Sequence, residues 1–352
     1  SIKLLKNIYM CGIVAVTGYK KALPLLLNGL EKLEYRGYDS SGIAIINSKN
    51  NDLVCNKSEG KLKNLISKVS SEKIDGTVGI GHTRWATHGK PIVKNAHPHL
   101  DDSGSVAVVQ NGIIENFLDL KTQLENEGIV FQSDTDTEVI PHLIQKELNN
   151  LRKLNLDKNG STLLIAVRNV LSDLEGAYAL AVLWSGAPDS LVVARKQAPL
   201  IIGLGEGEFV CASDTPAIAD FTKTILPMED EEIGLLTPLG IELYNSSNER
   251  QYRNPTLLKT AEQAVDKKNF RHYMHKEIYD QPEIARNWVK NYLITNENKE
   301  KIKINYNFDT KFFEKIERIQ ILACGTSRHA SMVGSYLLEQ FSGIPTNVFY
   351  AS

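Results

Sequence analysis

The sequence predicts an α+β fold of four layers, in which outer helices cover two packed β-sheets. Two observations support this αββα sandwich. Over roughly the first 230 residues, apolar β-branched runs alternate with stretches that have the leucine spacing of helices. From residue 177 to residue 244, short apolar runs follow one another between Gly, Pro and Asp, as in antiparallel hairpins. At the end of the chain, a strand, a helix and a strand predict the start of a separate α/β domain with a parallel sheet.

The first part of the chain contains both strands and helices. The predicted strands are 11–18, 42–46, 77–83 and 105–110, and the predicted helices are 20–35, 115–127 and 135–150. The last of these strands runs into Asn111-Gly112, which is a strong turn signal. Ser133-x-x-Asp136 has the pattern of a helix start.

Changes of composition divide the later part of the chain. Residues 245–270 are polar and predict a linker, and a helix is predicted from about 270 to 297. The final unit has a strand at 319–323, a helix at 328–341 and a strand at 345–350. We therefore expect a leader at 1–10, a first domain at 11–232, a linker region at 233–309 and an incomplete domain at 310–352.

The composition predicts a globular protein that binds neither nucleic acid nor a membrane. The 352 residues are 42% hydrophobic and 23% charged, which suffices for about two domains with a sizeable core. The formal net charge of −2 gives no reason to expect binding to nucleic acid or to an anionic membrane. No apolar run approaches the roughly 20 residues that span a bilayer. The scattered cysteines form no disulfide framework, which indicates reduced thiols and a cytoplasmic location.

The first methionine of the chain, Met10, is followed directly by Cys11-Gly12-Ile13. If the protein begins at Cys11, one residue carries a thiol and a free α-amine, with ordinary pKa values of about 8.5 and about 8. The amine can then accept the thiol proton, so that Cys11 supplies both nucleophile and base. The alternative is a start methionine followed by a buried strand cysteine. If residues 1–10 remain attached, the amine is not free.

A polar segment, HTRWATHG at 82–89, follows the third predicted strand. Arg84 is the natural partner of a substrate carboxylate, because its planar fork matches two oxygens. Thr87 and His88 can add hydrogen bonds, and Trp85 can cover a pocket. The alternative is a surface loop whose Arg forms a salt bridge.

Asn111-Gly112 combines a side-chain amide with a glycine N–H group. Two such donors aimed at one oxygen form an oxyanion hole. The alternative is the type I′ hairpin turn that Asn-Gly favours.

Asp136 lies in an acidic segment, Thr135-Asp136-Thr137-Glu138. Its carboxylate can bind a substrate ammonium group. It can also serve as an acidic residue at a helix N-terminus, and one carboxylate can fill both roles.

His82, His88, His97 and His99 lie close together in the sequence. Their spacing matches no zinc pattern, and we expect no metal. His97 is more simply explained as a loop or core histidine that orients another group.

Cys324-Gly325-Thr326-Ser327 lies between a predicted strand and a predicted helix. Backbone N–H groups at a helix start, together with two hydroxyls, suit a phosphate. The absence of Gly-Lys-Ser/Thr argues against a nucleotide P-loop. The alternative is an ordinary capped turn.

Together these motifs resemble the glutamine–fructose-6-phosphate aminotransferases. The matching strings follow that family's order and cover most of the chain. They are MCGI (10–13), LEYRGYDSSG (33–42), HTRWATHG (82–89), NAHPH (95–99), NGIIEN (111–116), TDTEVI (135–140), RHYMHKEIYDQP (271–282) and ILACGTS (321–327). The resemblance implies a class II glutamine amidotransferase domain with the N-terminal-nucleophile fold at 11–232. It also implies the start of a sugar-isomerase domain at 310–352.

The resemblance implies a role for each matched site residue. The catalytic residues, which form a glutamyl thioester and stabilise its oxyanion, are Cys11, Asn111 and Gly112. The glutamine-binding residues are Arg84, Thr87, His88 and Asp136. The residues of the closing loop and of the gate on an ammonia path are Arg36, Tyr38 and Trp85. The residues that hold the sugar phosphate are Cys324, Gly325, Thr326 and Ser327.

The implied substrates are L-glutamine and fructose 6-phosphate, and the implied product of the full-length protein is glucosamine 6-phosphate. The resemblance implies a homodimer for the full-length protein, and we expect no cofactor. This chain, with an incomplete isomerase half, is expected only to hydrolyse glutamine. One alternative is another glutamine amidotransferase with the same first domain. Another is a non-catalytic module that binds glutamine or a sugar phosphate with Cys11 masked.

Overall fold

A computed structural model describes residues 11–85, 90–258, 270, 273–295, 302–304, 313–323 and 325–350. The chain forms two compact units that divide between Asp266 and Lys267. Among the helices of the described ranges, none is both long and apolar enough to cross a membrane.

Within the described residues, the first unit contains two antiparallel sheets, of which sheet A has eight strands. These are β1 (Gly12–Gly18), β2 (Ser40–Ile46), β3 (Leu53–Glu59), β4 (Val78–Arg84), β9 (Ile201–Leu204), β10 (Glu208–Ala212), β11 (Thr224–Pro227) and β15 (Thr256–Leu257). Their order across the sheet is β15-β11-β9-β10-β1-β4-β2-β3. The strand that follows Cys11 is thus a central one, paired on both sides, and all of its residues are buried.

Sheet B has seven strands in the part of the chain that the structure describes. They are β5 (His99–Leu100), β6 (Val106–Ile114), β7 (Gly176–Trp184), β8 (Leu191–Lys196), β12 (Glu232–Thr237), β13 (Gly240–Tyr244) and β14 (Arg250–Gln251). Their order is β14-β13-β12-β8-β7-β6-β5. β6, which carries Asn111 and Gly112, pairs along its whole length with β7.

Helices cover the outer face of each sheet. Sheet A is covered by α1 (Ala22–Leu33), α2 (Leu62–Val69) and α6 (Pro216–Ala219). Sheet B is covered by α3 (Phe117–Asn126), α4 (Val139–Lys153) and α5 (Gly160–Leu171). The two layers of helices are therefore separated by two layers of strands.

Alternation along the strands places apolar side chains on both faces of each sheet. In β7, Leu180 and Val182 pack under the helices, whereas Ala181 and Leu183 pack between the sheets. Ile13 of β1 belongs to the same core between the sheets. The layer order is helix, sheet, sheet, helix, and the predicted αββα sandwich is confirmed.

The sequence predicts a turn at Asn111-Gly112, but the structure has no turn there. β6 continues through both residues to Ile114. Gly112 has a φ of 116°, and a Cβ atom there would collide with the carbonyl oxygen of Ala177. Glycine is therefore needed at this position for a close approach of two strands rather than for a hairpin turn.

Ser133-x-x-Asp136 does not start a helix, and its side chains make other hydrogen bonds. The Ser133 hydroxyl lies 2.9 Å from the Thr135 hydroxyl. An oxygen of Asp136 accepts the Ile114 N–H at 2.8 Å, which ties this segment to β6. The helix begins after this segment, at Val139.

The second unit contains the strand, helix and strand predicted near the end of the chain. Its described elements are α7 (Tyr273–Tyr292), β16 (Leu293–Thr295), β17 (Ile302–Ile304), β18 (Ile319–Ala323), α8 (Gly325–Ser342) and β19 (Thr346–Tyr350). β16 and β17 are antiparallel, whereas β18 and β19 are parallel and are connected through α8.

Sheets A and B extend further along the chain than the first domain predicted at 11–232. β12 and β13 pair within sheet B, and β14 joins the same sheet. β15 joins sheet A through β11. Residues 233–257, for which the sequence predicts a linker region, therefore contribute strands to the sandwich.

Replacing Leu180 or Leu183 by Ala is expected to lower the free energy of unfolding by about 2–5 kcal/mol each. The two side chains are fully buried on opposite faces of β7. Urea denaturation measures the change. Leu154→Ala is the matched control, because Leu154 is 71% exposed and its loss should cost less than about 0.5 kcal/mol. Tolerance of Ala at either buried position would contradict a sheet that is covered on both faces.

Candidate active site

Cys11 immediately precedes β1 and lies beside the C-terminal end of the neighbouring strand β4. β1 and β4 are antiparallel with Gly12 opposite Thr83, so the start of one strand lies beside the end of the other. This pairing brings Arg84 and Trp85 next to Cys11. The Trp85 N–H donates to the Cys11 Sγ at 3.2 Å, and the thiol lies 3.5 Å from the Trp85 carbonyl oxygen, to which it can donate.

The surroundings of the Cys11 thiol partly offset the effect of its burial. Burial raises the pKa of the thiol above its ordinary value. The Trp85 N–H and the positive charges of Arg84 and Arg36 act in the opposite direction, because they stabilise a thiolate. The Asp39 carboxylate adds to the effect of burial, so that the pKa of the thiol stays above its ordinary value, and the Trp85 N–H with the two arginine charges limits the rise.

Asn111 connects the two sheets beside Cys11. Its Nδ2 donates to the backbone carbonyl oxygen of Cys11 at 3.0 Å. Its Oδ1 lies 2.9 Å from Nε2 of His82, which belongs to β4 of sheet A. The structure therefore joins Cys11 and Asn111 by a direct hydrogen bond and places Gly112 next along the strand.

Arg84 and Asp136 bring opposite charges to the same region. They are 5% and 7% exposed, respectively. Burial lowers the pKa of Arg84, whereas the negative charges of the Cys11 thiolate, Asp136 and Asp39 favour its charged form. A fixed cation and a fixed anion in one small region match the carboxylate and the ammonium group of an α-amino acid.

Of the residues predicted to form a loop and a gate, Tyr38 and Trp85 contact each other, whereas Arg36 contacts Ser213 and Asp214. Arg36 forms an ion pair with Asp214 at 3.1 Å and donates to the Ser213 carbonyl oxygen at 3.4 Å. The Tyr38 ring meets the Trp85 ring edge-on, with centroids 5.3 Å apart. Trp85 is also hydrogen-bonded to the Cys11 sulfur. Tyr38 of the predicted loop is therefore in direct contact with a residue that contacts the thiol.

Ser213 and Asp214, which no sequence pattern points to, hold the beginning of β1. The Ser213 hydroxyl accepts the Ile13 N–H at 3.0 Å, and the Ser213 N–H donates to the Ile13 carbonyl at 3.1 Å. Asp214 accepts the Tyr35 hydroxyl at 2.8 Å in addition to its ion pair with Arg36. In the sequence these residues follow an ordinary apolar strand, so only the pairing of β1 with β10 indicates their role.

Buried histidines form a stack behind Asn111. The His82 and His97 rings are stacked with centroids 4.3 Å apart, and His97 meets His99 edge-on at 4.7 Å. Burial lowers the pKa of all three, to about 3 for His82. The rings therefore act as neutral hydrogen-bonding groups. Among the described residues, no group of three His, Cys, Asp or Glu side chains is placed to hold a metal ion.

The remaining predicted site residues are only partly placed. Thr87, His88 and Cys324 lie outside the described residues. The first turn of α8, in the second unit, is formed by Gly325, Thr326 and Ser327, all of which are exposed. Exposed hydroxyls at a helix N-terminus are compatible with an anion.

The chain is similar to known glutamine amidotransferases. Residues 82–220 match the family described as the glutamine amidotransferase domain. The chain is 50% identical to the glutamine–fructose-6-phosphate aminotransferase [isomerizing] of Thermosynechococcus vestitus, over 97% of this chain and 54% of that protein. It is 44% identical to the protein of the same name from Aquifex aeolicus, with the same two coverages. The chain thus spans about half the length of the curated relatives it matches. These similarities confirm the resemblance predicted from the motifs.

Solved structures share the fold. The glutamine phosphoribosylpyrophosphate amidotransferase from B. subtilis, complexed with ADP and GMP, superposes with a TM-score of 0.59 at 22% identity, over 96% of this chain and 65% of that one. The allosteric regulatory enzyme of purine biosynthesis gives a TM-score of 0.60 at 23% identity, with the same coverages. The fold is thus that of the N-terminal-nucleophile amidotransferases, as the resemblance had implied.

Replacing Arg84 by Met is expected to raise the pKa of the Cys11 thiol, because a charge that favours the thiolate is lost. Below that pKa, the thiolate fraction and hence the rate of alkylation fall as the pKa rises. Alkylation of Cys11 by iodoacetamide at pH 7 should slow by roughly three- to thirty-fold. Mass spectrometry of the peptide that contains Cys11 measures the rate.

Arg168→Met is the matched control for this experiment. The Arg168 guanidinium lies over the Tyr244 ring, and its loss should leave the rate at Cys11 unchanged. If Arg84→Met is folded and alkylates at the original rate, the Arg84 charge does not act on the sulfur.

Proposed function

Because the chain is a relative of the glutamine–fructose-6-phosphate aminotransferases and carries a glutamine amidotransferase domain, we propose that its first unit hydrolyses L-glutamine. The observation that carries the proposal is that Cys11 is hydrogen-bonded to two residues: its sulfur to the Trp85 N–H, and its carbonyl oxygen to the Asn111 side chain. Arg84 and Asp136 lie in the same region and supply the charges that an α-amino acid requires.

Cys11 is the nucleophile of the proposed reaction. Its sulfur attacks the carboxamide carbon of glutamine, and the thiol proton passes through the Cys11 α-amine to the leaving nitrogen. The C–N bond then breaks, ammonia leaves, and a glutamyl thioester remains. Water hydrolyses the thioester to glutamate and restores the thiol. This route requires a free α-amine, and hence no peptide bond between Met10 and Cys11.

Asn111 and Gly112 stabilise the negative charge that develops on the amide oxygen. The Asn111 side chain has two N–H donors, of which one is used by the Cys11 carbonyl. The second donor and the Gly112 N–H are directed at the oxyanion. Loss of one such donor typically slows an acyl transfer by about 100- to 1,000-fold.

Arg84 and Asp136 orient the substrate. Arg84 binds the α-carboxylate through two parallel hydrogen bonds, and Asp136 binds the α-ammonium group. Thr87 and His88 add hydrogen bonds to the same substrate. Arg36 and Tyr38 close over it, with the loop anchored by the ion pair between Arg36 and Asp214.

The full-length protein then uses the ammonia to convert fructose 6-phosphate into glucosamine 6-phosphate, as the name of its relatives suggests. Ammonia is a nucleophile only when it is neutral, and a path without water protects it from protonation. Trp85 gates this path. The phosphate of the sugar is held at the start of α8, in the segment formed by Cys324, Gly325, Thr326 and Ser327. We propose a homodimer for the full-length protein, and glutamine hydrolysis alone for this chain.

A chain that begins at Cys11 is expected to release ammonia from L-glutamine, and Cys11→Ala should lower this rate by at least about 1,000-fold. Attachment of residues 1–10 should abolish the activity as well, because the α-amine becomes part of a peptide bond. A coupled glutamate assay measures the rate. Cys55→Ala is the control and should retain the activity. A folded chain that begins at Cys11, binds glutamine and releases no ammonia would favour a binding module instead.

Asp136→Asn is expected to raise KM for L-glutamine by roughly ten- to a hundred-fold with a smaller change in kcat, because a charge-assisted hydrogen bond to the ammonium group is lost. The Asn side chain still offers an oxygen to the Ile114 N–H. Steady-state kinetics measure the change.

Glutaramate, which has the side-chain amide but no ammonium group, tests the assignment directly. Wild type and Asp136→Asn should hydrolyse it with equal kcat/KM. Asp134→Asn, whose carboxylate pairs with Lys94 instead, should behave as wild type with glutamine. A penalty of the same size for both substrates would show that Asp136 does not recognise the ammonium group.

A further inference from the structure

His82 is a buried side chain that the proposed reaction leaves without a role. It lies on β4, directly opposite Ile13 of β1, and is 1% exposed. Its Nε2 lies 2.9 Å from Oδ1 of Asn111, across the space between the two sheets. A buried polar contact of this kind is costly unless both partners are oriented correctly.

The neighbours of Asn111 determine which way its amide faces. The backbone carbonyl oxygen of Cys11 can only accept a hydrogen bond, so the atom 3.0 Å from it must be Nδ2. The Asn111 oxygen therefore faces His82. An oxygen of this kind can only accept, so Nε2 of His82 must carry the proton. The tautomer of His82 and the orientation of the Asn111 amide are thus coupled.

A second histidine supports the His82 ring without adding charge. His97 stacks on His82, and its Nδ1 accepts the Gln110 N–H at 3.2 Å. The proton of neutral His97 is then on Nε2, which lies 3.5 Å from the Thr137 hydroxyl. That hydroxyl donates in turn to the Gln110 side-chain oxygen at 2.6 Å. The His82 ring therefore packs against a group whose own tautomer is determined by its hydrogen bonds.

We propose that His82 is a positioning residue, which as its Nε2–H tautomer keeps the N–H groups of the Asn111 amide directed toward Cys11 and the oxyanion. This inference rests on the proposed function, because it assigns His82 to the same oxyanion hole. With the opposite tautomer, His82 would require the Asn111 nitrogen to face it. The Asn111 oxygen would then face the Cys11 carbonyl and the developing negative charge, both of which would repel it.

His82→Asn and His82→Gln separate positioning from packing. The side-chain nitrogen of Gln reaches the place of the histidine Nε2, whereas that of Asn reaches only the place of Nδ1. His82→Asn should lower kcat for glutamine hydrolysis by roughly ten- to a hundred-fold with KM within about threefold, because the oxyanion forms only after binding. His82→Gln should restore kcat to within about fivefold of wild type.

His142→Asn is the matched control, since His142 is also buried but contacts Phe131 and Glu138 rather than Asn111. It should leave kcat unchanged. Equal losses of kcat in His82→Asn and His82→Gln, or a loss of kcat accompanied by an equal rise in KM, would overturn the proposal in favour of a purely structural role.

Binding of the γ-aldehyde of glutamate is a measurement that a change in packing alone would not affect selectively. Cys11 adds to the aldehyde carbon, the thiol proton passes to the aldehyde oxygen, and that oxygen then occupies the oxyanion hole. His82→Asn should weaken binding of the aldehyde by the same factor by which kcat falls, and leave binding of glutamate unchanged. Equal weakening of both ligands would contradict the proposal.

The tautomer itself can be measured independently of activity. In protein labelled with 15N-histidine, the His82 resonances, assigned by their loss in His82→Gln, should show a protonated Nε2 and an unprotonated Nδ1 at pH 7. A protonated Nδ1 would overturn the inference. If wild type with a free Cys11 releases no ammonia, the proposed function fails instead, and the tautomer still decides whether His82 orients Asn111.

Discussion

The proposed active site depends on a polar connection between two sheets that elsewhere pack against each other through a core of apolar side chains. Asn111 of sheet B is hydrogen-bonded to the Cys11 carbonyl and to the His82 ring. His82 belongs to sheet A, and Cys11 directly precedes its strand β1. Away from this end, residues such as Leu183 fill the space between the sheets. Because a buried amide without partners would be destabilising, correct packing of the sheets and correct orientation of the amide require each other. The sandwich thereby fixes the distance between Cys11, the proposed nucleophile, and the Asn111 amide, the proposed donor to the oxyanion.

Charge in the site is concentrated in a few groups. Burial alone would leave the Cys11 thiol protonated and unreactive, and the charges of Arg84 and Arg36 oppose that effect. Burial also keeps His82, His97 and His99 neutral, as the low pKa of each ring indicates. These histidines supply hydrogen bonds in fixed directions without adding positive charge. This agrees with the proposed roles of Arg84 toward a substrate carboxylate and of Asp136 toward an ammonium group.

Much of the architecture could be predicted from the sequence, because strands buried on both faces leave long apolar runs. The strands at Cys11 and at Asn111 belong to this class. β3, with the sequence LVCNKSE, was not identified, since it is an edge strand with polar residues and little alternation. Asn111-Gly112 was misleading for a different reason. Local propensity favours a turn, whereas pairing with β7 keeps the strand extended and uses the glycine for close approach.

The candidate site could be predicted only where chemistry follows from residue type. A cysteine after a methionine, an Arg among hydroxyls, and an Asn-Gly pair each suggest a function without any knowledge of neighbours. Ser213, Asp214 and His82 do not, because their roles arise from strands that are adjacent in space and distant in sequence.

Direct detection of the covalent intermediate tests the central claim, that Cys11 is the nucleophile. A chain that begins at Cys11 would be mixed with L-glutamine, quenched in acid within the first turnover, digested and examined by mass spectrometry. The account predicts one added glutamyl group, carried by the Cys11 peptide and released by hydroxylamine. Ammonia release with no adduct at Cys11, or with the glutamyl group on Cys55 or Cys211, would contradict it.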